Sequence, residues 1–530
     1  MKRLFPILLI ATILLTSCGQ APSLWGTYAT PTSESFDPAT ILPLPQPAAA
    51  ASTAPPPTST SAPTHIAIQP VASAPASSET PRSKATVTPT ASGPSVLYYS
   101  QSGDTLPALA ARFNVSPSEI LSDAKLPKTG LIVPGTLLVI PDRITEQKTP
   151  NIQIIPDSEM VFSATAINFD IAPYVNNAGG MLSNFREYLG STGWTSGTDE
   201  IKRAAYENSI NPRLLLAVLE FESRWVRGQP VDALHTDYPM GYENFLYKGL
   251  FSQLVWAVNQ LSIGYYGWRT GTLTELHFPD GTSLRIDPRL NAGTVAIQYL
   301  FSQVHSQSQW AQIIDPKNGF PAMYMQMFGD PWARGNTVTI FPPGLTQPAL
   351  SLPFQPNVQW SFTGGPHGAW EHDGSLAALD FAPSTDHGGC AQTPDWATAA
   401  APGLIVRSGN GVVVEDLDGD GYEQTGWDLV YLHMATQDRV PVGTWVKTND
   451  HIGHPSCEGG IATGTHLHFV RKYNGEWVAA DGPLPFDLDG WIAHQGDQSY
   501  VGTLTRGDRT IIADPVGQAW SIIIRATNDP

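Results

Sequence analysis

What this chain has little of is charge. Asp, Glu, Lys and Arg make up 14% of its 530 residues, and 47 acidic residues outnumber 29 basic ones for a net charge of −18. A nucleic-acid partner would require a basic face, so that class is set aside. Cysteine is scarcer still, three in all, and without a C-x-x-C spacing there is no cysteine metal site to propose. The absence of H-E-x-x-H removes a glutamate general base of the thermolysin kind. Beyond the N-terminus no uninterrupted apolar run reaches membrane length. Sparse charge together with 15 Trp and 47 Pro is compatible with a wall- or glycan-handling protein outside the cytoplasm. The length exceeds one domain.

The first residues read as a targeting segment rather than as part of the fold. Lys2 and Arg3 precede the apolar run Leu4–Leu15, which ends in Leu15-Thr16-Ser17-Cys18-Gly19. That ending resembles a bacterial lipobox. The resemblance implies cleavage before Cys18, lipid modification of its thiol, and an extracytoplasmic lipoprotein anchored to a membrane rather than spanning it. With residues 1–18 as leader, Cys390 and Cys457 remain, and an oxidising compartment favours a disulfide between them over two buried thiols. Closing such a loop is worth about 4 kcal/mol in the chain-entropy view.

Residues 19–95 are rich in Pro, Ala, Ser and Thr and cannot repay the entropy of ordering, so a disordered tether is expected. As a coil it would reach ~50 Å, enough to lift a folded part from a membrane into a wall. In residues 96–142, Tyr98-Tyr99-Ser100-Gln101-Ser102-Gly103-Asp104-Thr105-Leu106 and Val133-Pro134-Gly135-Thr136-Leu137 resemble a LysM module. That resemblance implies a small βααβ fold that binds N-acetylglucosamine-containing glycan, hence peptidoglycan. Gly103-Asp104-Thr105 reads as a turn into a helix capped by Asp or Thr.

Residues 143–355 read as mainly α. Helix starts are expected near Thr198-Asp199-Glu200, at Asn211-Pro212 with Pro in the first turn, near Leu250 and near Asn291. The stretch from Asn211 to Glu222-Ser223 resembles the acid-bearing helix of lysozyme-like lytic transglycosylases, which makes Glu222 a candidate glycosidase acid. Glu220 is an equally placed carboxylate, and the segment that should follow is only faintly echoed at Gly249-Leu250-Phe251-Ser252-Gln253.

Nine of the 13 histidines lie between His367 and His494. His466-Leu467-His468 places two imidazoles on one face of a strand. Gly364-Gly365-Pro366-His367, Leu379-Asp380-Phe381, Tyr431-Leu432-His433 and Gly464-Thr465-His466-Leu467-His468-Phe469 follow one another in that order. Together they resemble the lysostaphin-type zinc metallopeptidases that hydrolyse peptidoglycan, and their β-lytic branch in particular. The resemblance covers residues 356–495 and implies an all-β antiparallel sandwich. It also implies one catalytic Zn2+ on His367, Asp380 and His468, with His433 and His466 as catalytic histidines; His372 is the alternative first ligand. Residues 496–530 read as a β tail. Asp416-Leu417-Asp418-Gly419-Asp420-Gly421 resembles the first half of a Ca2+ loop, although position 12 is Trp427 rather than Glu, and an acidic hairpin turn is the alternative. The expected function is therefore peptidoglycan endopeptidase. The alternatives are a non-catalytic wall-binding or activator protein, or a bifunctional enzyme that also cuts glycan.

Overall fold

The computed structural model describes residues 93–527 apart from 337 and 385–387. The leader, Cys18 and the tether up to residue 92 lie outside the described residues. No described helix is long and apolar enough to cross a membrane.

The first module pairs β1 (Ser95–Tyr99) with β2 (Leu137–Pro141) in antiparallel register around α1 (Leu106–Phe113). Thr105 is the helix N-cap and accepts from the Ala108 amide, as the turn chemistry requires. The second helix of the expected βααβ pattern is only a single 3-10 turn, Pro117–Glu119. Ser116 and Glu119 form a capping box there, but Ile120 is already extended and buried, so the chain turns into the core instead of continuing the helix.

The middle region is mainly helical, with two small hairpins. Its principal helices are α2 (Gly197–Glu207), α3 (Pro212–Ser223), α4 (Leu250–Thr270) and α5 (Ala292–Ser302). Ser196 caps α2, and Asn211 caps α3 ahead of Pro212. Leu214 to Leu219 are buried on every side of α3, which makes it the central helix of the region. The first module docks on the end of α4. Arg112, 2% exposed, donates to the Trp268 carbonyl at 2.8 and 3.0 Å and to Asp104 at 2.7 Å.

The C-terminal region is built on an antiparallel sheet. Its strands are β3 (Gln359–Gly368), β4 (Leu376–Pro383), β5 (Gly403–Gly409), β6 (Val412–Asp416), β7 (Trp427–Leu432), β8 (Trp445–Val446) and β9 (Leu467–Tyr473). A smaller sheet follows, formed by β10 (Asp487–Leu488), β11 (Trp491–Gln495), β12 (Gly502–Arg506) and β13 (Arg509–Ile512). Finally β14 (Ile522–Ile524) returns to the large sheet beside β3, giving the order β8-β5-β6-β7-β9-β4-β3-β14. The tail beyond residue 496 is therefore part of this architecture. β12 pairs with β11 across that boundary.

The large sheet is covered on both faces. Val413, Leu429, Tyr431, Leu467 and Phe469 pack with Phe486, Leu488 and Trp491 toward the small sheet. Val412, Val414, Val430 and Val470 belong instead to the core of the helical region. This is why the central strands read as continuous apolar runs rather than as alternation. Each such side chain contributes roughly 1.5–3 kcal/mol on burial. Arg269 of α4 ties the regions together, pairing with Glu476 and Asp157 at 3.0 Å and donating to the Ser102 carbonyl of the first module.

Candidate metal centre

β9 and β4 place the central residues by register. His468 lies directly opposite Asp380 on one side and Leu432, the residue before His433, on the other. Along β9, His468 shares the face of Val470, so the site opens on the side of the sheet that also carries the helical region. β3 reaches the site through irregular register between Gly364 and His367. Two glycines make this passage fit. A Cβ on Gly364 would stand 2.7 Å from Asp380 Oδ2, and one on Gly365 would stand 2.6 Å from the Gly502 amide nitrogen.

His367 Nε2, Asp380 Oδ1 and His468 Nδ1 form a triangle with edges of 3.0, 3.2 and 3.3 Å. All three residues are buried. The remaining ring nitrogens are tied to backbone carbonyls, His367 Nδ1 to Gly365 at 2.8 Å and His468 Nε2 to Ala369 at 2.9 Å. A carbonyl only accepts, so these nitrogens carry the protons and the facing ones keep their lone pairs. Two lone pairs and a carboxylate oxygen thus meet, and Asp380 Oδ1 has no hydrogen-bond partner despite burial. Such a convergence of acceptors calls for positive charge at its centre. Tetrahedral zinc with bonds of 2.0–2.1 Å separates its ligand atoms by roughly 3.3–3.4 Å, close to the edges observed, so the donor set fits zinc. Burial disfavours the Asp380 charge, but His367 and His466 beside it hold the carboxyl well below its usual range.

His433 and His466 stand next to this trio. Their rings are 4.5 Å apart, and His466 Nε2 is 3.7 Å from Asp380 Oδ1. Each donates from Nδ1 to a carbonyl at 2.8 Å, His433 to Glu458 and His466 to Gly464, leaving both Nε2 lone pairs free. His466 thus repeats the arrangement of His367, with the accepting glycine two residues earlier. Burial, reinforced by His466 and His468, pushes the His433 imidazole down to about 3. Its backbone is left-handed, φ 67°, a strained conformation for a non-glycine residue that clusters at functional positions.

The disulfide joins Cys390 to Cys457. Cys457 precedes Glu458, the acceptor of His433. Gly389 and Ala391, on either side of Cys390, accept from the Thr465 amide and hydroxyl next to His466. The bridge therefore sits behind both histidines.

Other candidates fall elsewhere. His372 is exposed in the turn after β3 and stands outside the metal-competent cluster. Glu222 bonds His305 Nε2 at 2.8 Å, and Glu220 accepts from the Val226 and Arg227 amides at the end of α3. Asp416, Asp418 and Asp420 form a second group of oxygen donors. The sequence reading missed Tyr500, whose ring stacks on His367; no motif around it announces that contact.

The family model described as LasA, N-terminal domain, matches residues 153–342, the region for which the sequence suggested a lysozyme-like domain, and the LysM domain model matches residues 101–141. Protease LasA of Pseudomonas aeruginosa is 26% identical over 294 residues, covering 52% of this chain and 65% of the relative. The chain thus spans just under two thirds of that relative's length. Beta-lytic metalloendopeptidase of Lysobacter enzymogenes is 25% identical over 134 residues, 25% of this chain and 74% of the relative. Among solved structures, the M23 metalloprotease pseudoalterin from the deep sea is 22% identical with a TM-score of 0.28, covering 34% of this chain and 99% of that one. The catalytic domain of lysostaphin from Staphylococcus simulans is 23% identical with a TM-score of 0.16, covering 23% and 90%. LasA and the beta-lytic enzyme are homologues of this chain, in agreement with the resemblance carried by the histidine motifs.

Proposed function

We propose that this protein is a cell-wall-bound zinc metalloendopeptidase that hydrolyses peptide bonds of peptidoglycan, in stem peptides or cross-bridges. The observation that carries this reading is the meeting of His367 Nε2, Asp380 Oδ1 and His468 Nδ1 within 3.3 Å, with the free nitrogens of His433 and His466 alongside. Zinc held there supplies a Lewis acid for the scissile carbonyl and a water acidified toward neutrality. The chain's own residues do the proton work. His433, neutral and buried, keeps an Nε2 lone pair that accepts a proton from the attacking water. His466, less buried, receives that proton from the adjacent His433 ring, hydrogen-bonds the developing oxyanion with it and returns it to the leaving amine. Both rings are held by carbonyls behind them, so neither must reorient.

The LysM module would retain glycan while the peptide lies in the zinc groove. A lipid on Cys18 would keep the protein at the cell envelope. For the middle region we read docking rather than a second catalytic centre, since Glu222 is engaged with His305 and Glu220 with backbone amides. The bifunctional reading assigns Glu222 as a glycan-cutting acid, and the products separate the two.

The test is mass spectrometry of purified peptidoglycan treated with the protein, with and without a zinc chelator. New peptide amino termini that vanish with chelator are expected and name the bond. Sugar-end products insensitive to chelator would move the chemistry to Glu222. No products from several wall types would leave a binding or activator protein.

A further inference from the structure

The strands Arg186–Leu189 and Gly193–Ser196 form a hairpin ahead of α2. Tyr188 and Trp194 are directly opposed on it, and both are left in solvent, 67% and 68% exposed. Their rings lie 6.0 Å apart at 80°, an edge-to-face contact in which each steadies the other. Trp194 lines a cleft of about 400 Å³ between this hairpin, α2 and the turn from β5 to β6, a size within the usual range of small-ligand sites. The peptidase reading gives this cleft no task.

Its lining sets the class of ligand. Besides Trp194, α2 contributes Lys202, Arg203 and Tyr206, and the turn contributes Ser408 and Asn410. The two guanidinium groups are committed, Arg203 to Glu207 at 2.9 Å and Arg407 to Glu423 at 2.9 Å, so no concentrated charge is left to hold a phosphate or another strong anion. Among the described residues the Asn410 amide has no hydrogen-bond partner and Lys202 no carboxylate partner. An open aromatic face beside uncommitted hydrogen-bonding groups matches a pyranose ring, which presents one face of C–H bonds and a rim of hydroxyl and amide groups.

The cleft adjoins the metal centre. The Gly411 carbonyl accepts from the amide of Met434, the residue after His433, at 2.9 Å. A Cβ on Gly459 would stand 2.6 Å from the Asn410 carbonyl oxygen, and Glu458, just before that glycine, holds His433 through its own carbonyl. One turn therefore walls the cleft and also backs the segments that carry and hold His433. We propose, resting on the peptidoglycan reading of the zinc groove, that this cleft binds a sugar ring of the glycan strand. The ring stacks on Trp194 and takes hydrogen bonds from Asn410 and Lys202. The peptide that the glycan carries then passes over the β5–β6 turn toward His433. Glycan is thus gripped at a second place, outside the LysM module and beside the bond to be cut.

The experiment titrates a peptide-free tetramer of β-1,4-linked N-acetylglucosamine into the purified full-length protein labelled with 5-fluorotryptophan. The fluorine signal of Trp194 is followed by NMR and is assigned by its loss in Trp194→Phe, a change at an exposed position. Residues 93–142 contain no Trp, so glycan held by the LysM module adds no signal of its own. We expect the Trp194 signal to move saturably. We expect Asn410→Gly to weaken the binding read there by roughly fivefold; its backbone is left-handed, φ 49°, which glycine accepts without strain. A Trp194 signal that stays still while others move would overturn the site and leave the glycan on the LysM module alone. An equal shift with a free stem peptide in place of the sugar would overturn the ligand class, and an unchanged midpoint in the Asn410 variant would overturn the proposed contact. The titration reads binding without turnover, so a protein that cuts no peptide bond can still pass it, and an active peptidase can fail it.

Discussion

The imidazole of His367 and the ring of Tyr500 stack 4.0 Å apart with planes 20° from parallel. Tyr500 belongs to the segment joining β11 to β12, far in sequence from the histidine motifs. Its backbone is fastened to the same stretch of β3, accepting from the Gly365 amide at 2.8 Å and donating to the Pro366 carbonyl at 3.2 Å. It fixes the ring plane of His367, the first of the proposed metal ligands, from behind. Tyr500→Ala should weaken zinc binding by roughly 10–100-fold, the usual cost of losing an outer support of a ligand, while Tyr500→Phe keeps the stack and the affinity. Competition against a chromogenic chelator measures both. A Phe variant as poor as Ala would show that the hydroxyl, not the stack, matters.

His466, immediately before β9, and His468, within it, both neighbour Asp380 yet are assigned different tasks. His468→Ala removes a corner of the acceptor triangle and should abolish zinc retention. His466→Ala leaves the triangle intact and should keep zinc while lowering turnover by roughly 10²–10⁴-fold. Metal analysis of both purified variants, beside their rates on peptidoglycan, checks the division. Zinc retained without His468 would refute the ligand assignment.

Much of this site was legible because its chemistry is concentrated in side chains with fixed spacing. His466-Leu467-His468 declares two imidazoles on one face wherever the segment is extended, and Asp380 and His433 stand in motifs of their own. The supports were less visible. Ala369 and Glu458 act through backbone carbonyls, which leave no signature in residue type. The glycine two residues before His367 and before His466 is a signal that could have been used, since each supplies the carbonyl that orients its ring. Tyr500 was out of reach because only the docking of the β11–β12 turn on Gly365 and Pro366 of β3 brings it to His367. The second LysM helix failed for a local reason, as Ile120 is drawn into the core after a single capped turn.

The bridge between Cys390 and Cys457 is expected to matter for rate as well as for stability. It anchors Glu458 behind His433 and Thr465 beside His466. Cys390→Ser with Cys457→Ser should lower the rate on peptidoglycan several-fold while zinc stays bound, because the metal triangle draws on β3, β4 and β9 instead. The loss of loop constraint, about 4 kcal/mol in the chain-entropy view, should also lower Tm. Unchanged turnover in the double variant would show that the carbonyls hold their positions unaided.

Glu423 gives the fold an acid-sensitive joint. Burial works against its charge, but Arg407 and Lys472 beside it bring its carboxyl down to about 2 from an ordinary 4.5. A lowered folded-state value means the unfolded chain takes up the proton first. The stabilisation from this group is therefore complete above pH 4.5 and is lost as pH falls from there toward 2. Lys472 is fully buried, so Glu423→Gln leaves it without its ion-pair partner and should cost about 3–5 kcal/mol at neutral pH. The variant should also lose part of the pH dependence between 4.5 and 2. Urea unfolding of both proteins at pH 7, 4 and 3 measures this. Parallel pH profiles would assign the acid sensitivity to other carboxylates, and a variant as stable as the parent at pH 7 would show that Lys472 finds another partner or gives up its proton.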